Sequence, residues 1–462
     1  MEASTLSVHT HMFLRLEKTK KLTGAVYIVL VCVVVEWSLV LDSSINALTG
    51  EFSASDTAVY VGSTNGHLLA VEVALPPPTQ PPTVATMDAI AWRQGVVGGG
   101  PVKDVHYAAG DDDVVFVATT SAVVHLSPRN GAVLFSWTVP PPVDGSSSVE
   151  IVTELVPFVN ASGTTEFLVV GVNDGQNRGR ILSYSPSLQT LLWELVTNGP
   201  VGLGFDLGYV ASTPRLNSAG TQLFACQTYG PVMAINATSG SILWQQNFQI
   251  FELDTLALSP DESIVVVKSH QLTSVGENGL HAFDASNGLF LEGVMSSPIT
   301  GPTVDSSGGT YVTNSFNQLA RYNAATLQMG SDWITSVYQS TDRVLVEAHP
   351  VVSADLQTVY APVGNRTGKV EAATGFVLWS REMGGVQSFT PQLSTDGMHL
   401  FVLVENDDGS TVLRKLMTET GGTCCIRDYF KKVFLSQQRN CVCVCVVAWQ
   451  TWTGVSAPCR GY

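Results

Sequence analysis

Short runs of apolar residues recur along the chain about every 47 residues, and polar turn residues bound each run. The runs are rich in β-branched and aromatic residues, which is typical of strands. Runs as apolar as these predict strands that are buried on both faces. The eight runs are Ala58 to Gly62, Val114 to Val117, Phe167 to Gly171, Gln222 to Cys226, Ile264 to Val267, Gly309 to Val312, Thr358 to Ala361 and His399 to Val402.

A nine-residue segment, Asn236 to Trp244, also recurs. Asp284 to Leu291 repeats its first eight positions, and Glu371 to Trp379 repeats all nine. Asp or Asn opens a turn by bonding its own backbone, and a glycine supplies positive φ at little cost. The glycines of the three segments are Gly240, Gly288 and Gly375. The pattern predicts a turn followed by a strand in each repeat.

Proline marks the start of several further strands, as in Ser212-Thr213-Pro214 and Thr390-Pro391. Proline is tolerated at the first position of a strand but not in its interior. Each repeat then holds about four short strands, which is the size of one propeller blade. The sequence therefore predicts a single all-β propeller of eight blades, with seven as the alternative. We expect an N-terminal strand from residues 37–60 to close the ring.

Tryptophan ends the repeated segment at the same position in several blades. Trp193, Trp244 and Trp379 end similar segments, and a side chain of this size buries about 150–250 Å². We expect these residues to wedge neighbouring blades together.

These segments resemble the PQQ-like, or quinoprotein-dehydrogenase-like, β-propeller repeat over roughly residues 43–422, most weakly between 73 and 165. Gly66 to Glu72 and Gly279 to Asp284 match another part of that repeat. The resemblance implies the propeller fold. For the enzymes of that family it also implies pyrroloquinoline quinone (PQQ) and calcium in the propeller axis, with a vicinal disulfide against the cofactor. Cys424-Cys425 is a vicinal pair, but it lies beyond the last recognisable repeat.

The N-terminal segment 1–42 has a basic region before the apolar run Ala25 to Val35. This order predicts a secretory signal peptide, or a signal anchor if the span continues to Leu41. A wrongly assigned start of the chain, or a first strand of the fold, is the third alternative. We expect a propeller over 43–422, located outside the cytoplasm.

Residues 423–462 do not continue the repeat. Six of the eight cysteines lie there, and Cys441, Cys443 and Cys445 alternate with valine. We expect an unpacked or artefactual tail. A genuine Cys-rich tail and a soft-metal site are the alternatives.

Charge and composition argue against several functions. The net charge is −16, which disfavours nucleic acid because its recognition requires a basic patch. No catalytic histidine, serine or phosphate-binding motif is present in the sequence. Asp111 to Asp113 and Asn406 to Gly409 lack the spacing of an EF-hand, so we expect hairpin turns there.

The resulting hypothesis is a non-catalytic binding or scaffold protein with a protein or carbohydrate ligand. We expect no catalytic, cofactor or metal residues. The alternative is a PQQ-dependent oxidoreductase, which would also require calcium. If the chain enters the secretory route, the candidate glycosylation sites are Asn160, Asn236 and Asn365.

Overall fold

The computed structural model describes residues 6–12, 33–41, 50–52 and most of 58–418. The undescribed positions within 58–418 are 64, 73–89, 97–99, 109–112, 143–148, 161, 163, 175–178, 198–209, 211, 229, 248–250, 272–278, 296–297, 299, 315, 324–330, 338–347, 388–389, 395 and 406–410. The regular elements in the described residues are all strands. No helix among them is long and apolar enough to cross a bilayer.

The strands form eight antiparallel sheets, or blades. Two strands come first in the chain, β1 (Leu6–Met12) and β2 (Val33–Leu41). Blade 1 contains β3 (Gly50–Phe52), β4 (Ala58–Gly62), β5 (His67–Glu72) and β6 (Ile90–Gly95). Blade 2 contains β7 (Val102–Ala108), β8 (Val114–Thr119), β9 (Ala122–Leu126) and β10 (Val133–Thr138). Blade 3 contains β11 (Val149–Ile151), β12 (Val156–Val159), β13 (Thr165–Asp174), β14 (Gly179–Ser185) and β15 (Thr190–Thr197).

The remaining blades follow in the same order along the chain. Blade 4 contains β16 (Arg215–Leu216), β17 (Gln222–Cys226), β18 (Pro231–Asn236) and β19 (Ile242–Asn247). Blade 5 contains β20 (Phe251–Leu258), β21 (Ile264–Gln271), β22 (Gly279–Asp284) and β23 (Phe290–Met295). Blade 6 contains β24 (Thr303–Val304), β25 (Gly309–Thr313), β26 (Gln318–Asn323) and β27 (Trp333–Ser336). Blade 7 contains β28 (Val351–Val352), β29 (Thr358–Val363), β30 (Arg366–Glu371) and β31 (Val377–Glu382), and blade 8 contains β32 (Gln392–Leu393), β33 (His399–Glu405) and β34 (Thr411–Met417).

In six of the blades successive strands pair in order; in blade 3 both β11 and β12 pair with β13, and in blade 8 β2 follows β34. The eight apolar runs of the sequence lie in the second strand of each blade. These strands are β4, β8, β13, β17, β21, β25, β29 and β33. Most of their residues are buried because blades cover both faces of each sheet. The predicted propeller of eight blades is confirmed, and the seven-blade alternative is wrong.

An N-terminal strand completes blade 8. β2 pairs antiparallel with β34, in a register that sets Ser38 against Arg414 and Leu41 against Thr411. β1 pairs with β2 as a fifth strand, from Leu6 opposite Leu39 to Met12 opposite Val33. The closing strand therefore begins earlier than the predicted range 37–60. The pairing matches the first-strand alternative for segment 1–42, and a targeting role of that segment stays a prediction. The predicted tail, 423–462, lies outside the described residues.

The hydrophobic core lies between the blades, in seven clusters of described residues at the junctions from blades 1 and 2 to blades 7 and 8. One cluster joins Leu168 and Tyr184 of blade 3 to Phe116 and Val123 of blade 2. Further clusters repeat this arrangement at the following junctions, through to blades 7 and 8. Because neither face of a blade is buried within the blade itself, a single repeat has no core of its own.

Five tryptophans form a repeated contact across the junctions. Each lies in the outer strand of one blade and donates its indole Nε1–H to a backbone carbonyl of the next blade. We call these the wedge tryptophans. The bonds run from Trp92 to Pro128 (2.8 Å), Trp193 to Ala237 (2.7 Å), Trp244 to Ala285 (2.8 Å), Trp333 to Ala372 (3.0 Å) and Trp379 to Thr418 (3.1 Å). Trp92 and Trp333 were not in the predicted set.

The repeated glycines lie beneath these indoles. Gly240, Gly288 and Gly375 have φ of 71°, 74° and 75°. An added Cβ at Gly288 would stand 2.4 Å from the ring of Trp244. Glycine is therefore required for two reasons. Its backbone is in the left-handed region, and the indole that packs on it leaves no room for a side chain.

The junction of blades 2 and 3 departs from this rule. Trp137 stacks on Tyr184 with ring centroids 4.6 Å apart, and Phe135 lies parallel to the same ring at 6.5 Å. Gln189, with φ of 55°, occupies the turn position where other blades carry glycine. Aromatic stacking here takes the place of the indole–carbonyl bond.

Trp244→Ala should lower the free energy of unfolding by about 3–5 kcal/mol, because the change removes a large inter-blade side chain and its hydrogen bond. Chemical denaturation checks this value. The matched control is Leu243→Ala, since the neighbouring Leu243 is 46% exposed and should lose less than about 0.5 kcal/mol. Equal losses in the two variants would show that the indole does not hold the junction.

Deleting residues 1–42 should lower the melting temperature sharply, because it removes β2 and leaves the outer edge of β34 unpaired. Deleting only residues 1–32 is the control, since it keeps β2 and removes only the outermost strand. Calorimetry on both truncations distinguishes them. A melting temperature that is the same for the full chain and the longer deletion contradicts ring closure by β2.

Candidate functional site

A cavity of about 700 Å³ opens on the propeller axis. The inner strands β16, β24, β28 and β32 line it, together with residues of blades 3 and 5. Its wall mixes exposed polar side chains (Glu154, Arg215 and Gln392) with apolar ones such as Val304 and Val351. This volume and this mixture are typical of ligand-binding clefts.

Proline shapes the wall of this cavity, which we call the axial pocket. The wall includes Pro302, Pro350 and Pro391. Each of these prolines directly precedes a two-residue inner strand. The inner strand is an edge strand whose free side faces the axis, so a residue without an N–H fits at its start. The X-Pro pattern in the sequence therefore marks the residues that converge on the axis.

Hydrogen bonds join neighbouring inner strands around the pocket. They run from Leu155 N to Asp104 Oδ2 (2.7 Å), Glu154 N to Thr213 Oγ1 (3.1 Å), Arg215 Nε to Leu256 O (3.4 Å), Thr303 Oγ1 to Pro350 O (2.8 Å) and His349 N to Thr390 Oγ1 (3.1 Å). These bonds link blades 2–3, 3–4, 4–5, 6–7 and 7–8 in turn. The pocket wall is thus a fixed frame of side chain–backbone bonds.

Gly301 lets three blades meet at the base of the pocket. A Cβ added there would stand 2.3 Å from both His349 Cε1 and Thr255 Oγ1. Thr255 belongs to blade 5 and His349 to blade 7, so the Gly301 backbone is packed between them. A side chain at position 301 would require the His349 and Thr255 side chains to shift.

His349 is held in one tautomer. Its Nδ1 lies 3.2 Å from the Gly301 carbonyl oxygen, and since a carbonyl only accepts, Nδ1 carries the proton. Burial lowers the pKa of His349 below its ordinary 6.5. The Gly301 bond and the charge of Glu154 oppose that change, and the charges of Arg215 and Lys268 reinforce it. The imidazole is therefore neutral at neutral pH and offers Nε2 as an acceptor.

The carboxylate of Asp305 is already fully engaged in its own turn. Oδ1 accepts bonds from Ser307 N, Ser307 Oγ and Gly309 N, and Oδ2 accepts one from Tyr311 Oη. Burial alone would raise the pKa of Asp305, but these hydrogen bonds outweigh it and lower the pKa. Asp305 is therefore a structural residue, although it lines the pocket.

A calcium–quinone site does not fit the described residues of the axial pocket. Calcium takes six to eight oxygen ligands, with carboxylates prominent among them. Of the two carboxylates in the wall, Asp305 is engaged and Glu154 stands alone. No group of three or more His, Cys, Asp or Glu in the described part of the chain is arranged to hold a metal. Cys424-Cys425 lies outside the described residues.

The residues singled out in the sequence lie away from this pocket. The repeated glycines and tryptophans are at the blade junctions, as described above. Asn160 donates Nδ2–H to Glu166 Oε1 (3.0 Å), and Asn236 Oδ1 accepts from Thr238 N (3.0 Å), so both take part in local turns. Asn365 lies in the turn between β29 and β30. Of the acidic loops, 109–112 and 406–410 are not described.

Sequence reasoning did not find Arg215 or His349. Arg215 follows Pro214, and His349 directly precedes Pro350. The proline pattern was the available signal, since it marks the entry of each inner strand. Its relation to one shared pocket appears only when the blades close into a ring.

The His349 ring should titrate below 6.5 in the folded protein and near 6.5 in the unfolded chain. Because the unfolded state then binds the proton more readily, this residue's contribution to stability is complete above pH 6.5 and is lost as the pH falls. Histidine ring resonances followed by NMR, with His349→Gln as the assignment control, test this. A folded-state pKa at or above 6.5 contradicts the buried, neutral imidazole.

A family model described as "Outer membrane protein assembly factor BamB" matches residues 83–248 and 168–291. The crystal structure of BamB from Moraxella catarrhalis is similar in fold, with a TM-score of 0.54 and 12% sequence identity over 82% of this chain and 98% of that chain. A europium-containing methanol dehydrogenase is similar as well, with a TM-score of 0.59 and 15% identity over 80% of this chain and 84% of that one. A search of curated protein sequences finds no match. The matched repeats and the eight-bladed ring together support a PQQ-like β-propeller, which is the fold that the sequence resemblance implies.

Proposed function

We propose that this propeller is a non-catalytic scaffold that holds a partner protein at the axial pocket. The observation that carries the proposal is the frame of inter-blade bonds around the pocket. Asp305 is engaged in its turn, and His349 is fixed by Gly301. The side chains left at the surface, Arg215, Glu154 and Gln392, are suited to bind and orient a polypeptide.

Charge supports a partner with basic segments. Nine of the 23 Lys and Arg residues lie outside 43–422, but only five of the 39 Asp and Glu residues do. The propeller is therefore more acidic than the chain as a whole, which accelerates association with basic surfaces. Within the pocket, the guanidinium of Arg215 can donate two hydrogen bonds to one carboxylate of the partner.

We place the protein outside the cytoplasm. The matching family model is described as an outer membrane protein assembly factor, and the basic region before the apolar run 25–35 favours export. N-terminal sequencing of the mature protein tests how it is exported. A chain that keeps residues 33–41 retains β2, whereas cleavage after residue 42 would remove the closing strand.

The alternative is an oxidoreductase that uses PQQ and calcium, with an alcohol or sugar as substrate. The similarity in fold to a methanol dehydrogenase favours it. A fold shared at 15% identity carries little information about function. The engaged Asp305 and the single remaining carboxylate, Glu154, argue against it.

Cross-linking in the native compartment, followed by binding measurements with the isolated partner, tests the scaffold proposal. Arg215→Ala should weaken binding at least about tenfold, because an exposed arginine in a pocket is a frequent hot spot. Arg366→Ala is the control, since Arg366 bonds to Ser380 of its own blade. Equal weakening in both variants contradicts the axial site. Dye-coupled oxidation of an alcohol or sugar with added PQQ and calcium overturns the proposal in favour of the enzyme.

A further inference from the structure

The outer strands of the blades differ in length and in what covers their free edges. β2, the outer strand of blade 8, has nine residues, and β1 covers its edge. β15, the outer strand of blade 3, has eight residues and pairs only with β14 among the described strands. The outer strands of the other blades have four to six residues. β15 is therefore the longest outer strand that no described strand covers.

The composition of β15 leaves its edge open to pairing. Its sequence, Thr-Leu-Leu-Trp-Glu-Leu-Val-Thr, contains no proline and no lysine, two residues that block strand edges, and its one β-bulge lies near its start, so that Trp193 to Thr197 pair regularly with β14. Leu192 and Val196 are 45% and 46% exposed. Leu192 lies at a β-bulge in the pairing with β14, and beyond that bulge side chains alternate, so Val196 shares one face with Glu194. A long apolar edge of this kind is a template for a further strand.

The molecule itself shows that an outer edge of this propeller accepts a further strand. β1 lies along β2 in seven consecutive pairs, although the undescribed segment 13–32 separates the two strands in sequence. The fifth strand of blade 8 is thus an added antiparallel segment at the rim. β15 presents the same kind of edge, in a position where β1 does not reach.

We propose that β15 binds an extended segment of a partner protein as an added antiparallel strand at the outer edge of blade 3. Backbone hydrogen bonds supply the affinity in this mode, and alternate side chains supply the specificity. The segment carries an apolar residue opposite Val196 and a Lys or Arg opposite Glu194. The acidic net charge of −16 favours the same basic residue.

A second copy of the chain fits this edge poorly. The two-fold register that pairs Leu192 with Val196 of the other copy also sets the two Glu194 residues directly opposite each other. Like charges at that position destabilise a strand pair. Each Glu194 already accepts a bond from Arg180 Nη1 of its own blade at 3.1 Å, so it is fixed at the edge.

A designed peptide tests the proposal with the full chain. The probe is an acetylated and amidated nine-residue peptide with Val, Lys and Val at alternate central positions and Thr elsewhere. The control peptide has proline in place of the central lysine. Fluorescence anisotropy measures binding, and hydrogen exchange of the amides in 190–197 locates it. We expect the first peptide to bind and to slow exchange in β15, and the proline peptide to do neither.

Two leucine-to-lysine variants at equally exposed positions distinguish binding at the β15 edge from non-specific hydrophobic binding. Leu192→Lys should weaken binding at least about tenfold, because a charged edge residue opposes strand addition. Leu243→Lys is the matched control, since Leu243 is 46% exposed in the outer strand of blade 4. Thermal melts confirm that both variants fold.

Three results would overturn the proposal. They are no binding to the unaltered chain, equal weakening in the two variants, and self-association that Leu192→Lys abolishes, which would assign the edge to a second copy. None of these residues lies in the axial pocket, so this proposal and the proposed function fail independently.

Discussion

The structure depends on a repeated bond between blades, from a tryptophan indole to a backbone carbonyl of the next blade. A four-stranded sheet of this composition has two apolar faces and no means of burying either by itself. The indole joins the outer strands, where the wedge between blades is widest and aliphatic side chains would not fill the gap. In four of the five cases an aromatic residue of the second strand lies about 6 Å from the indole, as Phe224 does from Trp244. Ring and hydrogen bond together set the distance and the angle between blades.

Closure of the ring determines which residues line the axis and how tightly they pack. When eight blades close, their short inner strands converge, and the backbone of Gly301 is packed between Thr255 and His349. Polar side chains there satisfy groups of the neighbouring blade, so the axial pocket is lined by residues whose first role is structural. A neutral His349 and an engaged Asp305 are consequences of that crowding. What remains available, Arg215 and Glu154, is suited to recognition.

The axis and the rim offer two separate surfaces for partners. The axial pocket is concave and rigid, and six blades contribute to it. The edge of β15 is linear, and its partner needs only to be an extended chain whose apolar and basic side chains lie at the required alternate positions. A propeller that holds one protein at its axis and a segment of another at its rim would serve as an assembly platform. Such a role requires no chemistry at the pocket.

The sequence by itself determined the class of fold and the number of blades. The period of the apolar runs and the turn glycines is local, because each strand and each turn is specified by neighbouring residues. The pattern also predicted that Gly240, Gly288 and Gly375 occupy turns, and their φ values in the structure are positive. Local pattern could not show which tryptophan packs on which of these glycines. Gly240 and Trp244 stand in one turn-and-strand segment, yet Gly240 lies under Trp193 of the previous blade, and Trp244 lies over Gly288 of the next. For the same reason, the sequence did not reveal that Trp92 and Trp333 are wedge tryptophans. It also did not reveal that Arg215 and His349 line one pocket. Each depends on contacts between different blades, which local pattern does not encode and only the closed ring decides.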